Sequence, residues 1–323
     1  MNILITGATG FVGRDLISKL DSDKNYKVVA AVRRSNSKLV GSAKKVVVGE
    51  ISERTDWSAA LESVDVVVHL AGRAHVLNDG NDLSAFDRIN VDGTLRLADQ
   101  ALKFGVKRFI FVSSIGVNGS QTHGEAFTEC SAVAPHAVYA ESKRKAEELL
   151  RSKLEGSTME LVVIRPPLVY AATAPGNFQR LLKLVSSGIP LPFAITDNKR
   201  SMVSLNNLTD FISLCIEHPA AGGETFLISD GISVSTKEIV TLLAEGMDIK
   251  ARLFPLPDCL ARLAFTILRK PTIYTQLFGS LVIDSSKART LLGWVPVEHA
   301  SKALKESGFA YKHTQSHVLE RTS

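Results

Sequence analysis

A glycine turn placed directly after the first apolar run narrows the possible folds of this chain more than any other feature. Asn2–Thr6 reads as a short strand, and Gly7-Ala8-Thr9-Gly10-Phe11-Val12-Gly13 leads from it into a helical pattern over Phe11–Leu20. Each glycine has a mechanical reason there. Gly7 permits a tight turn, Gly10 lets backbone N–H groups approach a pyrophosphate, and Gly13 lets helix and strand pack closely. The helix N-terminus then offers unpaired N–H donors and a positive dipole end to phosphate oxygens. The spacing alone also suits an ordinary strand–helix turn; its place between a strand and a helix favours the phosphate reading. Gly7, Thr9, Gly10, Phe11, Val12 and Gly13 are therefore candidate cofactor-binding residues.

The first half continues in the same rhythm. Lys27–Val32, Lys45–Val48, Val64–Leu70 and Lys107–Ser113 are strand-like, while Asp56–Leu61 and about Leu83–Phe104 are helical. Apolar runs without polar alternation predict strands buried on both faces, hence parallel strands covered by helices. The expected fold is α/β: a Rossmann-type doubly wound parallel sheet with a smaller mixed α/β substrate-binding lobe. A helix at Val138–Leu154 and a strand at Glu160–Arg165 close the dinucleotide-binding domain, 1–165. From 166 to 323 the rhythm loosens into the substrate lobe, with short strands at Ser201–Leu205 and Glu224–Ile228 and helices at Asn206–Glu217 and Ser235–Glu245. Segments about 200–230 are expected to return to the first core. Asp258–Lys270 is apolar with two arginines; a packed helix is the preferred reading and a helix on a membrane surface the alternative.

Composition removes several classes. At 323 residues, 45% hydrophobic and 22% charged, the chain can bury a sizeable core and is not a disordered or low-complexity one. No run approaches the roughly 18 apolar residues of a membrane span, and the start shows no secretory signal, so a cytoplasmic protein is expected. Cys130, Cys215 and Cys259 are odd in number and far apart, which argues for a reducing compartment and against disulfides or a metal site. The net charge of +5 comes from scattered residues without a basic, aromatic-interleaved stripe. That suits a small acidic ligand at least as well as nucleic acid, and without such a stripe no nucleic-acid partner is expected.

Tyr139 and Lys143 stand four apart on a predicted helix and share one face. A lysine ammonium about 5 Å from a phenol, at an effective dielectric near 20, favours the phenolate by roughly 3 kcal/mol, or two pKa units. That would bring the phenol towards neutral pH, where proton transfer is efficient. Tyr-x-x-x-Lys is common on ordinary helices, and Ser114 changes the odds. It stands at the carboxyl end of a parallel strand, where ligand crevices open, and its hydroxyl can hold the substrate oxygen. Ser113 points to the other side. At the end of the second strand, Arg33 and Arg34 stand where an NAD-selecting carboxylate is usual, and favour the 2′-phosphate of NADP; the alternative is two solvated surface charges.

With these residues the sequence resembles the extended short-chain dehydrogenase/reductase superfamily, in its NAD-dependent epimerase/dehydratase branch. TGATGFVG (6–13), HLAG (69–72), INVDGT (89–94), FVSSIGVNG (111–119), YAESK (139–143), RPPLVY (165–170) and IDSSKARTLLGW (283–294) carry the resemblance over almost the whole chain. It implies a catalytic triad of Ser114, Tyr139 and Lys143, with Lys143 also on the nicotinamide ribose. It implies further cofactor contacts from Glu50, Ile51, Leu70, Ala71, Gly72, Asn90, Ser113, Pro166 and Leu168. On the substrate side it implies Asn177-Phe178 and Arg200 on a sugar diphosphate, with His75 within reach of the sugar. Tyr274 and Gln276 stand where relatives place a second phosphate-binding arginine, and Ala171 replaces a usual glycine.

The resemblance implies hydride chemistry at C4 of a UDP-linked (N-acetyl)hexose with NADP or NAD, NADP being slightly favoured, in a monomer or homodimer. A 4-ketoreductase of surface-polysaccharide synthesis is the expected activity, and a UDP-hexose 4-epimerase the alternative. Ile115-Gly116 stands where a 4,6-dehydratase needs an Asp-Glu pair, which excludes that reaction. A non-catalytic NADP sensor is disfavoured by retention of Ser114, Tyr139 and Lys143. A steroid-type dehydrogenase is disfavoured by Arg200 with Asn177.

Overall fold

The short β-branched runs become strands β1 (Asn2–Thr6), β2 (Lys27–Val32), β3 (Lys44–Val47), β4 (Val66–His69), β5 (Arg108–Val112) and β6 (Glu160–Arg165). These belong to a computed structural model that describes residues 1–73 and 83–320. β7 (Leu168–Tyr170) and β8 (Met202–Ser204) form a separate parallel pair, and β9 (Thr225–Leu227) returns to the main sheet. That sheet has seven parallel strands in the order β3-β2-β1-β4-β5-β6-β9. The order reverses direction between β1 and β4, and ligands of such sheets bind beyond the carboxyl ends at that point.

Among the described residues twelve helices surround the strands: α1 (Phe11–Asp21), α2 (Ser58–Leu61), α3 (Leu83–Phe86), α4 (Gly93–Lys103), α5 (Val138–Leu154) and α6 (Asn177–Ser186), then α7 (Leu205–Glu217), α8 (Thr236–Gly246), α9 (Asp258–Ile267), α10 (Pro271–Phe278), α11 (Ser286–Leu292) and α12 (Ala300–Glu320). Side chains alternate across a strand, so β1 supplies both faces. Ile3 and Ile5 pack with Leu16 and Ile17 of α1 and Leu208 and Phe211 of α7. Leu4, between them, packs with Leu97 and Ala98 of α4 and Leu150 of α5. A third core joins α6, α8 and α12 through Phe178, Leu182, Leu243 and Leu304. Among the described residues no helix is long and apolar enough to cross a membrane.

Two expectations need correction. The single helix expected over Leu83–Phe104 is interrupted by a π-helical turn at Asp87–Asp92 between α3 and α4. The wider turn inserts the buried Asn90 side chain towards the site, a common use of π-turns. The packed helix expected at Asp258–Lys270 forms as α9, but Ala261 is its one buried residue and Leu260, Leu263 and Ile267 face solvent.

The glycine turn explains how α1 meets β1. Gly7 has φ +67°, and a Cβ there would lie 2.9 Å from the Ala71 nitrogen. A Cβ on Gly13 would lie only 2.2 Å from the Gly7 carbonyl oxygen, which is backbone and cannot swing away. Gly13→Ala is therefore expected to push α1 off β1 and lower unfolding stability by about 1–3 kcal/mol. Urea titration of the variant checks this, and unchanged stability would show that the helix shifts freely.

Candidate active site

The residues read as cofactor-binding meet along one side of the switch point. Gly10 caps α1 with its backbone alone, and the first turn of that helix carries no acidic residue. Leu70 and Ala71 lie against Gly7, and the Gly72 Cβ position is 3.2 Å from Asn90 Oδ1 and 3.4 Å from Lys143 Nζ. Side chains at Gly7 and Gly72 would fill the space between the turn and Lys143. Asn90 fastens this strip: its Oδ1 accepts the Arg73 N–H (2.8 Å), while Nδ2 donates to the Arg73 carbonyl (3.1 Å) and to Ser142 Oγ (2.9 Å). The Ser113 hydroxyl is buried without a partner among the described residues. An open helix N-terminus, glycines where side chains would intrude and an orphaned hydroxyl fit a dinucleotide.

Arg33 and Arg34 are exposed beyond β2, and Arg33 Nη1 lies 3.9 Å from Glu50 Oε1. Ile51, beside Glu50, packs where a Gly93 side chain would stand. His75 lies outside the described residues.

Ser114 follows β5 in extended conformation, and its Oγ accepts the Gly116 N–H (3.1 Å). That leaves its own O–H to donate into a cavity of about 500 Å³ that Ser114 and Tyr139 line together. Pro167, Leu168, Asn177, Phe178 and Arg200 line the same cavity. Pro166 holds the turn by accepting the Ile115 N–H at 2.9 Å. Phe178 is almost wholly buried and packs at a tilt against the Tyr170 ring, so it shapes the cavity wall more than it meets a ligand.

Electrostatics differ from the expectation for Tyr139. Burial pushes its phenol up to about 12, with no lowering from Lys143. Burial also pushes the Lys143 ammonium down to about 8. Desolvation wins over mutual attraction, and the lysine is directed elsewhere. Its Nζ donates to the Val112 carbonyl (2.9 Å) and sits 4.4 Å from the centre of the Phe111 ring. His69 is pushed down to about 3 by burial first and Lys143 second. It stays neutral between the hydroxyls of Thr6 (2.7 Å) and Thr94 (2.9 Å).

Arg200 is half-buried, and burial holds its pKa below the usual value. Its Nη1 approaches the carbonyls of Thr275 (3.5 Å) and Gly279 (3.3 Å), and no carboxylate pairs with it among the described residues. A guanidinium so placed, on a cavity wall without a counter-charge, suits a bound anion. Asn177 Nδ2 donates to Gln276 Oε1 at 2.9 Å, so those two lining residues support each other. Tyr274 turns away and donates its hydroxyl to the Asp258 carboxylate (2.8 Å). Sequence reasoning missed His136, which lines the cavity beside Gly116 and is held below its ordinary pKa by burial. Its place three residues before Tyr139 was the available signal.

A glycine cradle at the switch point of a parallel sheet defines a dinucleotide-binding α/β protein, with Ser114 and Tyr139 on the wall of the adjoining cavity and Lys143 beside Gly72. Comparison with known proteins narrows the class: a model of the NAD dependent epimerase/dehydratase family matches residues 3–229. The chain belongs to that family of NAD-dependent enzymes, within the short-chain dehydrogenase/reductase superfamily. It is 43% identical over 314 residues to a UDP-glucose 4-epimerase of Vibrio cholerae, covering 96% of this chain and 95% of that one. It is 28% identical over 326 residues to the N-acetyl-α-D-glucosaminyl-diphospho-ditrans,octacis-undecaprenol 4-epimerase of Escherichia coli O157:H7, covering 99% and 94%. The fold matches the crystal structure of a Thermotoga maritima UDP-glucose 4-epimerase with UDP-glucose, at TM-score 0.76 and 22% identity over 98% and 100% of the two chains.

The Lys143 shift has a measurable consequence for the cofactor-free protein. Its folded value, about 8, lies below the ordinary 10.5, so the unfolded chain binds more protons between those pH values. Stability must therefore rise with pH across that window, and the penalty is fully present below it. Lys143→Met is expected to raise unfolding stability at pH 7 by about 3 kcal/mol while losing that rise. Denaturant titrations at pH 7 and pH 10.5 test this; a variant no more stable at pH 7 would show that the ammonium is solvated.

Proposed function

We propose that the protein is a 4-epimerase acting at C4 of a UDP-linked hexose. The observation that carries this reading is Arg200, unpaired with any described carboxylate, on the wall of the cavity that Ser114 and Tyr139 share. When bound, the nicotinamide dinucleotide supplies the group that accepts and returns a hydride. The work of the chain is then positional and acid–base. Ser114 donates a hydrogen bond to the sugar O4, Tyr139 takes and returns the O4 proton, and Lys143 with the Asn90-fastened strip holds the nicotinamide ribose. Arg200 anchors the diphosphate at a distance from the reacting carbon, which orients C4 without gripping the sugar. Epimerisation needs the keto-sugar to turn between the two hydride steps. A single arginine clamp, with Tyr274 directed to Asp258, suits a loosely held hexose.

The V. cholerae relative supports the epimerase over the C4 reductase. The reductase remains a second reading because Arg33 and Arg34 are exposed at the adenosine end, where they suit NADP and an exchangeable cofactor. The 1–165 segment would then hold the dinucleotide and the 166–323 segment the nucleotide sugar. Dinucleotide balance separates the readings: an epimerase converts UDP-glucose to UDP-galactose with no net change in dinucleotide, whereas a reductase consumes one reduced dinucleotide per ketosugar.

Tyr139→Phe is expected to lower kcat by about 10²–10⁴-fold while dinucleotide binding stays within a few-fold. Retention of more than a tenth of the wild-type rate would remove Tyr139 as the relay. Arg200→Ala is expected to cost roughly 2–4 kcal/mol in kcat/KM for a UDP-sugar, and to weaken competitive inhibition by UDP in parallel. Unchanged UDP inhibition would sink the diphosphate anchor and reopen the steroid-type and small-carbonyl readings.

A further inference from the structure

α9 carries its apolar side on the wrong face for a helix on a water-exposed surface. Leu260, Leu263 and Ile267 recur at i, i+3 and i+7 and so share one face, and they are 51%, 56% and 72% exposed. Leu268, at the end of the helix, is 61% exposed, while Ala261 on the opposite face is the residue that packs inward. The loop before α9 exposes Phe254, and the Ala194 N–H bonds to the Phe254 carbonyl (3.2 Å), which brings exposed Ile195 alongside. Exposed apolar side chains grouped on one helix face mark an interaction site more often than singly scattered ones do.

The charges around it name the partner. Residues 250–270 hold five basic side chains, Lys250, Arg252, Arg262, Arg269 and Lys270, against one acid, Asp258. All five are exposed, and none is ion-paired among the described residues. The single acid already accepts the Tyr274 hydroxyl. Ten residues of helix cannot span a bilayer, which takes about 20, but an apolar face flanked by cations fits the headgroup–acyl boundary of an anionic one. A second copy of the chain suits the patch less well, because a two-fold contact would set these cations against themselves.

We propose that α9 and the loop before it form a docking surface for an anionic phospholipid bilayer. The surface lies one helix from the cavity. Phe265 of α9 packs against the rings of Tyr274 and Phe278 of α10, and α10 lines the cavity with Pro271, Thr272, Thr275 and Gln276. Docking therefore brings the cavity wall to the membrane–water interface, whichever hydride reaction the cavity performs.

Sedimentation with vesicles tests this on the intact chain. The protein is expected to pellet with phosphatidylcholine vesicles containing about 30% phosphatidylglycerol and not with pure phosphatidylcholine, since each basic residue near an anionic surface adds about fivefold to partitioning. Leu263→Gln/Ile267→Gln is expected to lower partitioning at least about tenfold, because the apolar face supplies the insertion. Arg262→Gln/Arg269→Gln is expected to lower it in low salt and to have little effect in high salt. Neither pair touches the cavity, so turnover of a soluble UDP-sugar stays at the wild-type rate and reports folding independently. Wild type left in the supernatant with anionic vesicles, or a Leu263→Gln/Ile267→Gln variant that pellets as wild type does, overturns the proposal. A dimer in sedimentation velocity that the same pair dissociates, without vesicle binding, assigns the surface to a second copy instead.

Discussion

The guanidinium of Arg165 holds the two halves of the candidate site at one spacing. It closes β6, is buried, and donates through Nε and Nη2 to the Glu147 carboxylate (3.0 and 2.5 Å) and through Nη1 to Asn118 Oδ1 (3.1 Å). Glu147 stands one turn beyond Lys143 and two beyond Tyr139 on α5, on the same helix face. Asn118 ends the short 3₁₀ turn that Ser114 caps. One side chain thus ties the tyrosine–lysine helix and the serine turn to the same strand end. A buried ion pair adds little net stability, because desolvation cancels much of the attraction. What it adds here is position: neither partner can leave without stranding the other charge.

Around that anchor the site's basic groups are short of counter-charge. Lys143 and His69 are driven towards their neutral forms by burial, and Arg200 is destabilised in the same sense. Each protein contact they make is to a carbonyl, a hydroxyl or a ring, apart from the distant pull of Glu147 on Lys143. A chain that keeps cations in this state spends stability on a ligand it expects. The lowered phenol expected from a helical Tyr–Lys pair therefore belongs to more water-like surroundings, not to this buried cavity, where desolvation raises it instead. Acid–base poise at Tyr139 depends on what fills the site as much as on its neighbour four residues on.

The backbone of the first half was legible because local pattern and tertiary burial agree there. β1, β2, β6 and α5 begin and end at the residues that apolar runs and helical periodicity marked. The π-turn at Asp87–Asp92 was not legible, because one extra residue in a helix leaves the spacing of apolar side chains nearly unchanged. The Arg165–Glu147 pair joins residues 18 apart on different elements, and only the β6–α5 packing brings them together. His136 enters the cavity because the chain just before α5 packs against Gly116, twenty residues away in sequence. The outward apolar face of α9 misled for a different reason: an apolar helix reads as packed, and sequence does not say which side the core lies on.

α10 links the parts of the structure that the sequence left separate. Its carbonyls at Thr275, and at Gly279 just beyond it, steady the Arg200 guanidinium, and Gln276 holds the Asn177 amide. Its other side receives Phe265 from α9. From the exposed Ile267 face to the Arg200 guanidinium the route is therefore helix to ring to helix to carbonyl, with no solvent-filled gap required between them. Packed rings transmit displacement because interiors at crystal-like density have little room to absorb it. The Arg200 wall of the cavity thus rests on α10 and, through Phe265, on α9, whereas the serine turn and the tyrosine–lysine helix are tied to the Arg165 anchor. The two walls differ in what holds them: one is fixed by a buried ion pair, the other rests on a helix pair whose outer apolar face is exposed.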